Sequence, residues 1–175
     1  MPSRSSSGPQ TNSTGPDRSL FFARSVMLPS QRKVVAVAEV HLPLVASLMA
    51  ALALLTPDER DRIQVVIAGH PPSAAQREML ARSGLQDRFH FPGLLDDVRP
   101  MIARLDAGFV LSHDIETISF ACREMMASAK PMLVSDYAGL PENIEQGVDG
   151  WVVATRDVDA IAAQVQALYA QRDAL

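Results

Sequence analysis

Cysteine is almost missing from this 175-residue chain: Cys122 stands alone. A single thiol excludes an intrachain disulfide and any cysteine-based metal cluster, and it fits a reducing compartment. Long apolar runs are missing too. The longest, over 42–55, falls short of the roughly 18 to 20 residues that a membrane span needs and contains Pro43, so it reads as a buried helix. No segment at the N-terminus resembles the apolar core of a signal peptide. These absences predict a cytoplasmic protein, at most peripheral at the inner face of a membrane. Excess basic charge is lacking as well, the formal net charge being -4. Arg4, Arg18, Arg24, Arg32 and Lys33 outnumber Asp17 near the N-terminus, so the acidic excess falls on the body of the chain and speaks against a nucleic-acid binder. The four histidines, His41, His70, His90 and His113, share no metal-ligand spacing, and there is neither a Gly-x-Gly-x-x-Gly fingerprint nor a P-loop. A zinc site, a dehydrogenase and a P-loop enzyme are therefore unsupported, and neither a metal nor an organic cofactor is expected.

What is present is a rhythm. Residues 1–19 are mostly Ser, Gly, Pro, Thr and Asn, too polar to offset the entropy of ordering, and 1–32 as a whole reads as a disordered leader or linker. From residue 33 onward, short β-branched runs alternate with helical patterns. Strands are predicted over 34–38, 63–68, 88–91, 108–111, 131–135 and 151–154. Helices are predicted over 44–55, 73–82, 97–105, 118–128, 139–146 and 158–172, with Ser73 and Gly84 bracketing the second. Strands that are apolar throughout and separated by helices specify a parallel sheet covered on both faces. The fold class is thus a single Rossmann-like, doubly wound α/β domain over 33–175.

Glu116 and Glu124, with seven residues between them, follow the fourth strand and enter the helix after it. By spacing alone such a pair is a common coincidence. In a doubly wound domain, however, ligands lie at the carboxyl ends of the strands near the switch point, where this pair falls. Two ionised carboxylates there can accept hydrogen bonds from the adjacent hydroxyls of a sugar or ribose.

The run from Phe109 to Glu116, then Glu124 to Lys130-Pro131 and Asp136, then Gly139-Leu140-Pro141-Glu142-Asn143 and Gly147 to Gly150-Trp151, resembles the donor-binding half of family 4 glycosyltransferases, one half of a GT-B fold. The order of elements agrees over 34–172. The resemblance implies a retaining glycosyltransferase that binds a UDP- or GDP-sugar for transfer to a glycan, lipid or polysaccharide acceptor. It assigns Glu116 to the donor sugar as the catalytic-site carboxylate and Glu124 to the ribose. It assigns Thr117, Ile118 and Ser119, with Phe120 beside them, to the diphosphate at a helix N-terminus, where free N–H groups and the dipole favour an anion. Leu94 and Leu95, after Phe91-Pro92-Gly93, would border the base.

Departures from the family pattern define the competing reading. Thr117-Ile118-Ser119 replace the usual Gly-Phe-Gly, and Glu39 and His41 stand where the family places basic groups aimed at the diphosphate. A GT-B enzyme also has an acceptor-binding half of similar size, expected here on a partner domain or chain. The alternative is a half-domain that serves as a protein-interaction module. Several other residues stay open between site and scaffold. His113 faces either ligand or solvent; Lys130 either reaches a phosphate or complements a helix dipole; Arg123 pairs with Glu124 or with Glu142. Cys122, Met101, Met125, Met126 and Trp151 read as core, and Asp136 as a residue that orients a loop.

Overall fold

The computed structural model describes residues 33–37, 42–114 and 119–171. Six strands alternate with helices along the chain: β1 (Lys33–Val37), α1 (Leu42–Leu54), α2 (Pro57–Arg62), β2 (Ile63–Ala68), α3 (Ala74–Ser83), β3 (Phe89–Gly93), α4 (Arg99–Ile102), β4 (Ala107–Val110), α5 (Phe120–Ala127), β5 (Met132–Ser135), β6 (Gly150–Val153) and α6 (Val158–Ala170). The strands form one sheet in the order β3-β2-β1-β4-β5-β6, parallel at every pairing. The order reverses between β1 and β4, so the switch-point crevice lies at their carboxyl ends. The fold class read from the sequence is the one observed.

Alternation along buried strands divides the core between two faces. Val65 and Ile67 of β2, Phe109 of β4 and Leu133 of β5 meet Leu48 and Leu52 of α1, Leu80 of α3 and Ile161, Val165 and Leu168 of α6. Their in-between neighbours Val66, Val110, Met132 and Val134 meet Met101 and Ile102 of α4, Cys122 and Met125 of α5, and Leu140. Cys122 is fully buried, as a small apolar residue is expected to be, and Trp151 is half-buried against the first cluster. Leu48 and Leu52 are each 1% exposed, so truncating either to Ala is expected to cost about 2 to 5 kcal/mol.

Two glycines fix close approaches. A Cβ on Gly108 would strike Met125 of α5 and Met132 of β5, and one on Gly150 would strike the backbone carbonyl of Met132. The first lets α5 lie against β4. The second lets β6 pair with β5.

Two predicted helices are shorter than expected, and one helix was not predicted. The helix expected over 139–146 is only a 3-10 turn, Pro141–Asn143, because Ile144 is already extended and Gln146 bridges to Gly150 instead. The helix expected over 97–105 contracts to α4. Asp97 accepts the backbone N–H of Arg99 at 3.0 Å and holds its guanidinium at 2.8 Å, just ahead of Pro100. Helix α2 was not expected, since it buries no residue and shows no apolar periodicity. Its start is nevertheless written in a capping box: Thr56 Oγ1 accepts from Glu59 N at 3.3 Å, Glu59 Oε2 accepts from Thr56 N at 3.0 Å, and Pro57 opens the helix. The leader assignment of 1–32 lies outside the described residues.

Candidate functional site at the carboxyl edge

Loops after β3, β4, β5 and β6 build the carboxyl edge. After β4, Ser112 is tied sideways by its carbonyl, which accepts the Ser135 hydroxyl of β5 at 2.5 Å. Helix α5 then starts at Ser119, whose buried hydroxyl accepts from Cys122 N at 3.2 Å while its carbonyl accepts from Arg123 N. This N-cap shifts the expected helix start from 118 to 120. The Ser119 side chain is therefore occupied as a cap. The unfilled donors of the first turn are the N–H groups of Phe120 and Ala121, which meet no acceptor among the described residues. The resemblance had assigned this role to 117–119; Thr117 and Ile118, with Glu116, lie outside the described residues, as do Glu39 and His41 after β1.

Glu124 is exposed midway along α5 and makes no ion pair among the described residues. Phe120 is 77% exposed beside it, an unusual state for so large an apolar ring. Leu94, 61% exposed, stands in the loop after β3, and Leu95 is half-buried against the core. β3 is three strand spacings from β4, which puts the two loops about 14 Å apart across β2 and β1. His113 is half-exposed just past β4.

The loop after β5 is held from both sides. Asp136 accepts from Thr155 N at 2.7 Å and from Thr155 Oγ1 at 2.5 Å, joining it to the loop after β6. Those bonds hold the Asp136 carboxyl below its ordinary range, and the residue orients a loop as expected. Ala138 occupies the left-handed region at φ 50°, and Leu140 is fully buried beneath the loop. Strain of that kind at a ligand-facing edge is common in functional sites.

The structure gives Lys130 and Arg123, both left open by the sequence, definite partners. Lys130 precedes β5, at the amino edge opposite the crevice, and its ammonium donates to the Ala103 carbonyl at 3.4 Å. The contact it makes is with the scaffold, and the sheet separates it from the N-terminus of α5. Arg123 pairs with neither Glu124 nor Glu142; its Nε donates to Asn143 Oδ1 at 3.1 Å. Asn143 closes the Gly139-to-Asn143 run without a partner suggested by sequence, because an acceptor 20 residues from Arg123 on another element leaves no local spacing to find it by.

Among the described residues no three His, Cys, Asp or Glu side chains gather as a metal site, and no helix is long and apolar enough to cross a membrane.

A parallel sheet in this strand order, with a helix N-terminus and an exposed carboxylate beside its switch point, belongs to the class of α/β domains that hold ligands at the carboxyl edge. The family model described as "Glycosyl transferases group 1" matches residues 31–171, and the chain belongs to that family. It is 30% identical over 138 residues to the D-inositol 3-phosphate glycosyltransferase of Geodermatophilus obscurus, covering 73% of this chain and 30% of that protein. It is 30% identical over 96 residues to the putative colanic acid biosynthesis glycosyltransferase WcaL of Salmonella typhimurium, covering 51% of this chain and 24% of that one. The chain thus spans a third or less of these relatives. Among solved structures, HepE of Anabaena in complex with UDP superposes with a TM-score of 0.73 at 22% identity, over 90% of this chain and 44% of HepE. HepE in complex with UDP-glucose gives 0.71 at 20% identity, over 92% and 48%. These likenesses show the fold, one half of a GT-B glycosyltransferase.

Proposed function

We propose that this chain is the donor-binding half of a retaining, family 4 type glycosyltransferase that holds a nucleotide-diphospho-sugar at the carboxyl edge of its sheet. The observation that carries the reading is Glu124, exposed and without an ion-pair partner among the described residues, on the helix that follows the switch point. An ionised carboxylate so placed accepts from the two ribose hydroxyls, and Glu116 takes the hydroxyls of the sugar. The free N–H groups of Phe120 and Ala121 join those assigned to 117–119 in meeting the diphosphate, where the positive end of α5 favours an anion. Leu94 and Leu95 offer apolar contact to the base across the width of β1 and β2, and His113 lines the crevice from β4. The UDP and UDP-glucose complexes of HepE favour a UDP-sugar over a GDP-sugar.

In this role the chain contributes binding and orientation of the donor. Departure of the nucleoside diphosphate is assisted by electrostatic stabilisation of its growing charge, and the acceptor is supplied by a second half. Names of relatives in colanic acid and inositol phosphate chemistry favour a glycan or a small polyol as acceptor. A screen of UDP- and GDP-sugars by thermal shift, with Glu116→Ala and Glu124→Ala as controls, tests the reading. Stabilisation of wild type that both substitutions abolish supports it, and no binding at millimolar donor sinks it.

Glu39, in place of a phosphate-neutralising Arg, favours the second reading, an interaction module that has lost donor affinity. Donor binding that emerges only in Glu39→Arg would support it.

A further inference from the structure

The chain carries a cation in the first turn of α5, where the helix dipole disfavours one. Two carboxylates flank this arrangement in sequence, Glu124 next to Arg123 and Glu142 next to its amide partner Asn143. Arg123 instead donates through Nε to the neutral amide oxygen of Asn143 at 3.1 Å. The other end of that amide is committed as well: Asn143 Nδ2 donates to the carbonyls of Gly139 at 2.9 Å and Leu140 at 3.3 Å. A single side chain therefore links the helix that bears Glu124 to the backbone of the loop after β5. Below the loop, Leu140 is anchored in the same apolar cluster as Cys122 and Met125 of α5. The loop is fastened inside by Leu140 and outside by Asn143.

We infer that Arg123 and Asn143 are positioning residues for donor binding, a bridge that locks the 136–143 loop against α5 while leaving the Glu124 carboxylate uncompensated for ribose. The inference rests on the donor-binding reading. Its chemistry lies in the choice of acceptor. A carboxylate partner for Arg123 at this point would add a charge to the rim, whereas an amide satisfies the guanidinium without one. Were Asn143 lost, the freed guanidinium would compete with ribose hydroxyls for Glu124 or fold onto Glu142. The loop would at the same time lose the two bonds that tie its carbonyls.

The test uses the full chain with Arg123→Met, Asn143→Ala and the double variant. Two quantities are read: amide hydrogen exchange across 137–144, and the dissociation constant for UDP-glucose by calorimetry. Each single variant is expected to speed exchange in that loop about fivefold and to raise the dissociation constant about fivefold. The double variant is no worse than Asn143→Ala alone, because both substitutions remove one coupled bridge and only Asn143→Ala also frees the loop carbonyls. Faster exchange with unchanged affinity overturns the positioning role, as do single effects that simply add. If wild type binds no nucleotide sugar, the donor reading fails separately. Exchange then decides the bridge alone, and unchanged exchange in both single variants overturns it.

Discussion

The two edges of the sheet treat polar groups differently. At the amino edge, Arg88 donates to the Asp61 carbonyl at 2.6 Å and to its carboxylate at 3.0 Å, and Lys130 reaches the Ala103 carbonyl. Just inside that edge His90 Nε2 meets Gln64 Oε1 at 2.5 Å, and Gly108 and Gly150 let neighbouring elements close in. At the carboxyl edge Glu124 stays exposed and unpaired among the described residues, and Leu94 and Phe120 present apolar surface to solvent. Cations at the amino edge are spent on the chain's own carbonyls and carboxylates, whereas at the carboxyl edge Asp97 and Asp136 are held by Arg99 and Thr155 but Glu124, Leu94 and Phe120 are left for something else. The difference separates scaffold from site more sharply than burial does.

Substitutions at the amino edge should move stability and leave donor affinity alone; those at the carboxyl edge should do the reverse. The largest effect is expected from Gly150→Ala, whose methyl meets backbone and not a flexible side chain. It should cost about 3 kcal/mol or more in urea unfolding. Glu124→Ala comes next: loss of charge-assisted bonds should weaken donor binding by about 1.5 to 3 kcal/mol, seen by calorimetry, with stability within about 0.5 kcal/mol of wild type. Thr56→Ala breaks the capping box of α2 and should lower stability by about 1 kcal/mol without touching affinity.

The smallest effect concerns His90. Burial, aided by the Arg88 charge, lowers its pKa from the ordinary value. The folded protein thus binds a proton there less readily than the unfolded chain. The contribution is fully present above the unfolded value of about 6.5 and is lost as the pH falls toward the depressed one. His90→Phe should flatten the part of the pH–stability profile that falls off below the unfolded value of about 6.5. A Glu124→Ala variant that unfolds early, or a Thr56→Ala variant that binds donor poorly, would break the contrast between the edges.

Much of this architecture was legible because β-branched runs such as Val65-Val66-Ile67 and stops such as Gly84 carry their own local physics. The Ser73 and Thr56 caps were equally local, although the second opens a helix with no apolar stripe to reveal it. The stretch 139–146 misled because Gly139 and Gly147 bracket it like a helix, while Gln146 is drawn into a bridge with Gly150. At the site, the carboxyl-edge position of Glu124 followed from element order alone. The amino-edge position of Lys130 was available from the same order, since it precedes its strand. The Arg123–Asn143 bond was not legible, because nothing within a helical turn of either residue specifies it.

Amide chemical shifts of the isotope-labelled chain titrated with UDP-glucose locate the donor site residue by residue. Donor binding at the carboxyl edge should perturb Leu94, Leu95, His113 and 119–124 and the 136–143 loop, all weakened in Glu124→Ala, with Arg88, Lys130 and the amino edge silent. Perturbations centred on the amino edge, or none at millimolar donor, would contradict it.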